Sequence, residues 1–201
     1  MKNYTLQEAG KQQQQIIDIY PPVWTDEIFS YSEMQEIISI GEKQLNPAYV
    51  GNGLKAEINP SIRKTLISWI GPENSPSWLI DRIILMLNEI NAKHFNYELT
   101  GAEPAQYTKY DAEFGGEYKW HADIMPVENN IRKLSVSILL SDLDEYEGGN
   151  LILSPHGSPI TIREKKGRAI FFPSWVPHCV TPVTKGIRKS LVIWAHGPAF
   201  K

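Results

Sequence analysis

His121-Ala122-Asp123 sets an imidazole and a carboxylate two residues apart. In an extended strand, residues at that spacing project from one face, so the pair could approach a metal ion from the same side. A second imidazole, His178, opens another β-like stretch and is followed by Arg188-Lys189-Ser190. Two histidines and one carboxylate form a facial triad, which fills three neighbouring corners of an octahedron and leaves three open. That pattern is associated with non-haem Fe(II) rather than with closed structural zinc. The open corners suit a bidentate oxoacid plus dioxygen. One short strand beyond His178, Arg188 is spaced to grip the far carboxylate of a dicarboxylate in a two-pronged fork, with the Ser190 hydroxyl on the same strand face as a further donor.

Residues this far apart in sequence meet only if a sheet brings them together. Beyond Gly101 the chain carries short runs rich in β-branched and aromatic residues at 105–110, 119–123, 134–140, 150–153, 159–162, 168–172, 179–183 and 190–196, separated by Gly, Pro, Asp and Asn. Short strands with no helical pattern between them predict an antiparallel barrel or double-sheet jelly roll. Before Gly101 the pattern is helical. Met34, Ile37, Ile38 and Leu45 predict a first helix over 33–45, opened by a Ser32/Gln35 capping box. Ser75-Pro76 followed by Ile80, Ile83, Ile84, Leu87 and Ile90 predicts a second over 76–95. Between them lie an irregular connection at 46–60 and a strand over Arg63 to Ile70. Ile16 to Tyr20 reads as a short strand stopped by Pro21-Pro22, after a polar Gln12 to Gln15 lead. The whole reads as an α+β chain with a mainly β core. One catalytic domain covers 1–201, with helical support over about 16–100 and a β core over about 104–197.

At 201 residues the chain is long enough to bury a core without cross-links, and its lone Cys179 has no partner for a disulfide. A cytoplasmic, reducing location is expected. The net charge of −3 lacks the basic excess that generic nucleic-acid binding needs. No apolar run reaches the length of a membrane span, and the N-terminal residues lack the apolar core of a secretion signal, so no membrane partner is expected.

The stretch from Gln106 to Gly197 resembles the 2-oxoglutarate and Fe(II)-dependent oxygenases, in particular their prolyl 4-hydroxylase-like branch. The residues that carry the resemblance are Gln106-Tyr107-Thr108-Lys109-Tyr110, Gly115-Gly116, Tyr118-Lys119-Trp120-His121-Ala122-Asp123, Leu139-Leu140-Ser141-Asp142, Glu147-Gly148-Gly149-Asn150-Leu151, Phe172-Pro173, Pro177-His178, Val180-Thr181-Pro182-Val183 and Arg188-Lys189-Ser190-Leu191. Asn150 stands where the family commonly has Glu, and Arg188 where many collagen-type members have Lys. The resemblance implies a double-stranded β-helix, or jelly roll, buttressed by the N-terminal helices. It implies Fe(II) held by His121, Asp123 and His178, with 2-oxoglutarate chelating the metal. Arg188 would hold the far carboxylate of that cosubstrate, with Ser190 beside it and Tyr110 donating its hydroxyl. Dioxygen is the second cosubstrate and ascorbate the expected reductant. The implied reaction hydroxylates an unactivated carbon, of a peptidyl proline or a small molecule, and releases succinate and CO2.

Other residues have plainer readings. His94 near a helix end, His156 in a Pro-Gly turn and His196 on a strand face are expected outside any metal site. Glu164-Lys165-Lys166-Gly167-Arg168 reads as a solvated charged hairpin. Trp120 and Trp175 adjoin the ligand-bearing segments and either wall the pocket or pack in the core. Cys179, next to His178 on a strand, is expected to point away from the metal. Two competing functions share the scaffold: demethylation of nucleic acid, and non-catalytic binding by a jelly-roll module. The first lacks its second arginine, since position 194 is Trp. The second has no chemical need for a complete triad.

Overall fold

The computed structural model describes residues 22–51 and 56–200. The expected strand at Ile16 to Tyr20 and the Gln12 to Gln15 lead lie outside the described residues. In chain order the first elements are β1 (Val23–Thr25), α1 (Tyr31–Gly41), β2 (Asn46–Pro47), β3 (Arg63–Lys64), β4 (Leu66–Ile70), α2 (Ser77–Ile90), β5 (Gly101–Ala102) and β6 (Ala105–Asp111). They are followed by β7 (Glu117–His121), β8 (Pro126–Val127), β9 (Asn130–Leu139), β10 (Tyr146–Gly148), β11 (Leu151–Leu153), β12 (Ile160–Thr161), β13 (Ala169–Pro173), β14 (His178–Val180) and β15 (Val183–Gly197).

The strands form two antiparallel sheets, the two walls of a jelly roll. The larger follows the order β1-β13-β9-β15-β6-β4-β2, and the smaller follows β12-β11-β14-β7-β3. The period-2 alternation of each strand sorts its residues between two environments. On β9, Leu134, Val136 and Ile138 face the helices, as do Leu191, Ile193 and Ala195 on β15. The alternate residues Ser137, Arg188, Ser190, Val192 and Trp194 turn inward and line a cavity. Helix α2 covers the outer face with Leu79, Ile83, Met86, Leu87 and Ile90, and α1 does so with Met34 and Ile37. The large sheet is therefore buried on both faces, which is why β9 reads as a continuous buried run from Lys133 to Leu139.

Three local expectations are corrected. Helix α1 is capped by Ser30, not Ser32: the Ser30 side chain accepts from the Glu33 N–H while the Glu33 carboxylate accepts from the Ser30 N–H, so the box lies two residues earlier. Helix α2 has Pro76 as its N-cap and ends at Ile90, with one π-helical turn over Asn91–Phe95; the Ser75 hydroxyl donates to the Gly71 carbonyl instead of capping. The single strand expected over Arg63 to Ile70 breaks at Thr65. Its first half, β3, pairs with β7 in the small sheet, and its second half, β4, pairs with β6 in the large one.

Helix α1 sits close on the sheet because it ends in glycine. A Cβ at Gly41 would lie 2.3 Å from the Tyr107 ring, which is fully buried. Helix propensity alone favours Gly41→Ala by up to about 1 kcal/mol. Overpacking against Tyr107 costs about 1–3 kcal/mol, so the substitution is expected to lower the thermal unfolding midpoint by several degrees. A raised midpoint would show that the helix can slide off the ring.

Candidate metal and cosubstrate site

Strands β7 and β14 are neighbours in the small sheet, and their register sets His121 directly opposite His178. Each imidazole is fixed in the same way. His121 Nδ1 lies 2.8 Å from the Lys119 carbonyl oxygen, and His178 Nδ1 lies 3.0 Å from that of Val176. A carbonyl only accepts, so each Nδ1 carries a proton, and in the neutral form of either ring the lone pair sits on Nε2. Stacking holds the rings: Tyr118 lies 3.5 Å from the His121 ring, and Phe172 meets the His178 ring edge-on at 4.8 Å.

Asp123 lies just past the end of β7, shorter than the strand expected over 119–123, yet its side chain still reaches the two rings. Its Oδ1 is 3.7 Å from His121 Nε2 and its Oδ2 is 3.4 Å from His178 Nε2. Ser135, on the inner face of β9, donates to Oδ2 at 2.8 Å. The ligand atoms of His121, Asp123 and His178 all lie within 4.8 Å of one another, the one such group of His, Cys, Asp or Glu among the described residues. Burial pushes the Asp123 carboxyl up, but His178, His121 and the Ser135 hydroxyl together hold it below the usual carboxylate range. Burial, reinforced by repulsion from His178, drives His121 down to about 3. At neutral pH the cluster is thus an anion beside a neutral imidazole lone pair, the donor set a divalent cation requires.

Arg188 is 1% exposed. The register of β15 against β6 places it opposite Tyr110 and Ser190 opposite Thr108. Its Nη1 donates to Ser190 Oγ at 3.1 Å and its Nη2 to Glu164 Oε1 at 2.6 Å, while the Tyr110 ring lies 5.4 Å from its guanidinium carbon. Ser190 and Thr108 hydroxyls are 2.6 Å apart. The Arg188 Nε–H is buried and has no partner among the described residues. A donor in that state fits an incoming carboxylate. Tyr110, Arg188, Ser190 and the three clustered residues all line one cavity of about 750 Å³.

Cys179 stays outside the ligand cluster, as expected, and His94 and His156 are exposed. Neither tryptophan flanking the ligand segments lines the cavity: Trp120 is 49% exposed, and Trp175 packs on Phe200. The cavity tryptophans are Trp69 and Trp194, whose rings are 6.0 Å apart, with the Arg132 guanidinium over Trp194 at 4.0 Å. Sequence reasoning noted Trp194 only as the residue replacing an arginine; its place two residues after Val192 and four after Ser190 was the available signal. The irregular 46–60 connection contributes Tyr49 and Glu57. Glu164, expected in a solvated hairpin, is instead a buried partner of Arg188, with a side chain 6% exposed.

Residues 105–196 match the family model of the 2OG-Fe(II) oxygenase superfamily. Over this stretch, just under half of the chain, the protein is similar to the 2OG-Fe(II) oxygenases. Among similar oxygenases, a PKHD-type hydroxylase of Synechococcus sp. strain CC9902 is 39% identical over 83 residues, which cover 41% of this chain and 37% of that protein. One from Bordetella pertussis is 32% identical over 98 residues, covering 45% of this chain and 42% of that protein. The matched stretch spans about two fifths of the length of these relatives. The fold is shared more widely. A Pseudomonas putida prolyl-4-hydroxylase superposes with a TM-score of 0.69 at 22% identity, covering 91% of this chain and 96% of its own. A prolyl hydroxylase from Trichoplax adhaerens, in complex with a hypoxia inducible factor peptide fragment, gives 0.71 at 19% identity, covering 96% and 94%. The expected jelly-roll fold is thereby borne out.

Proposed function

We propose that this protein is an Fe(II)- and 2-oxoglutarate-dependent dioxygenase that hydroxylates an unactivated carbon, with a peptidyl proline as the leading substrate. The observation that carries this reading is the union in one cavity of His121, Asp123 and His178 with a buried guanidinium whose Nε–H has no partner among the described residues. In the proposal the two Nε2 lone pairs and the Asp123 carboxylate hold the iron. Arg188 takes the far carboxylate of 2-oxoglutarate, Tyr110 donates its hydroxyl to it, and Ser190 keeps the guanidinium in place. Iron and 2-oxoglutarate, when bound, supply activation of dioxygen, and the overall reaction converts R–H, 2-oxoglutarate and O2 into R–OH, succinate and CO2.

The remaining cavity residues act on the substrate. Trp69 and Trp194 offer apolar faces against which a pyrrolidine ring packs, and Tyr49 at 58% exposure extends that surface toward solvent. The names of the similar proteins, PKHD-type hydroxylases and prolyl hydroxylases, one of them with a bound peptide, support a peptide substrate. We also read residues 1–201 as one catalytic unit, because the core joining α1 and α2 to β9 and β15 is continuous. No described helix is long and apolar enough to cross a membrane; the cytoplasm is the proposed location.

The test is incubation with Fe(II), 2-oxoglutarate, ascorbate and a library of proline-containing peptides. Succinate release and the gain of one oxygen on a peptide are expected. Metal-loaded protein that fails to bind 2-oxoglutarate by calorimetry would end this reading, and formaldehyde released from methylated oligonucleotides would redirect it to nucleic-acid demethylation.

A further inference from the structure

Two buried guanidiniums face the cavity, and they are compensated differently. Arg63 donates to Thr65 Oγ1 at 2.7 Å and to Gln106 Oε1 at 2.8 Å, and lies over the Tyr118 ring at 4.5 Å. Its partners among the described residues are neutral. Arg188 instead carries a full counter-charge, Glu164, brought in by the connection between β12 and β13. Burial of an arginine in this wall therefore does not by itself demand a carboxylate. Glu164 does not line the cavity, whereas Arg188 and Ser190 do, so its carboxylate meets the guanidinium away from the cavity wall. A dicarboxylate arriving from the cavity side meets a guanidinium whose charge is already matched. Its own far carboxylate then lies about one guanidinium width from a second anion, in surroundings where charge is poorly screened.

We propose that Glu164 sets the affinity of this site for its dicarboxylate cosubstrate, acting as a resident counter-ion that weakens the hold of Arg188 on an incoming carboxylate. The inference rests on the reading of Arg188 given above. Glu164 is a specificity-determining residue here, since its effect falls on the part of the ligand that distinguishes a diacid from a monoacid. Removing its charge while keeping its shape and one hydrogen bond leaves the guanidinium uncompensated until the ligand binds, which moves favourable energy from the free to the bound state.

The experiment is calorimetric titration of Mn(II)-loaded protein, without turnover, using 2-oxoglutarate and 2-oxobutyrate, which shares the oxoacid end and lacks the far carboxylate. Glu164→Gln is expected to bind 2-oxoglutarate about tenfold more tightly than wild type, with 2-oxobutyrate affinity unchanged. Unchanged or weaker 2-oxoglutarate binding overturns the proposal, as does equal tightening of both ligands. Loss of both ligands makes Glu164 a folding residue and overturns it as well. Arg188→Ala separates the two readings: 2-oxoglutarate bound by that variant at wild-type affinity removes the assigned role of Arg188, whereas its loss there with no gain in Glu164→Gln removes only the role of Glu164.

Discussion

Asp123→Ala is expected to lower succinate-forming turnover by about 10³-fold or more. The carboxylate is 7% exposed and supplies the negative charge of the cluster, so its removal leaves only two imidazoles to hold a dication. Loss of several kcal/mol of metal stabilisation converts, at about 1.4 kcal/mol per decade, into that factor. The fold should survive, because Ser135 keeps Ser174, 3.0 Å away, as a partner after losing the carboxylate. Metal content by mass spectrometry, succinate formation and thermal unfolding measured on one preparation separate these effects. Wild-type turnover from a folded Asp123→Ala protein would exclude the proposed metal centre.

Arg188→Met is the second large effect, and it acts on stability and on binding together. Truncating one member of a buried ion pair leaves the other charged and unpaired, at a cost of about 3–5 kcal/mol. Glu164, its side chain 6% exposed and 2.6 Å from Arg188 Nη2, would be that orphan. For a chain of this size the unfolding midpoint is expected to fall by roughly 10 °C. 2-Oxoglutarate binding should be lost from the same variant. Adding Glu164→Leu removes the orphaned charge, so the double variant should recover most of the lost stability and none of the binding. If the double variant is no more stable than Arg188→Met, the pair contributes through packing rather than charge.

Strand residues were legible where chemistry followed local spacing. His121 and Asp123 share a face because they are two apart, and Arg188 and Ser190 share one for the same reason, so each of these pairs could be read along the chain. Helices were legible as elements but not at their ends. Ser30 and Ser32 both precede an apolar helical pattern, and the choice between them falls to Glu33, whose carboxylate reaches the Ser30 N–H. The break at Thr65 left no local mark, since β3 and β4 have the same extended backbone and differ only in the sheet each joins.

The amino-acid order by itself determined the mainly β core and the local pairs His121/Asp123 and Arg188/Ser190, because strand periodicity and close spacing are properties of neighbouring residues; the meeting of His178 with the first pair is set by the register of β14 on β7. Tertiary structure decided which aromatic rings wall the cavity and which charges meet inside it. Glu164 lies 24 residues from Arg188, and Gln106 lies 43 from Arg63. Such pairings arise only when two sheets close on each other, and a side chain's surroundings there depend on strands whose positions no local pattern encodes.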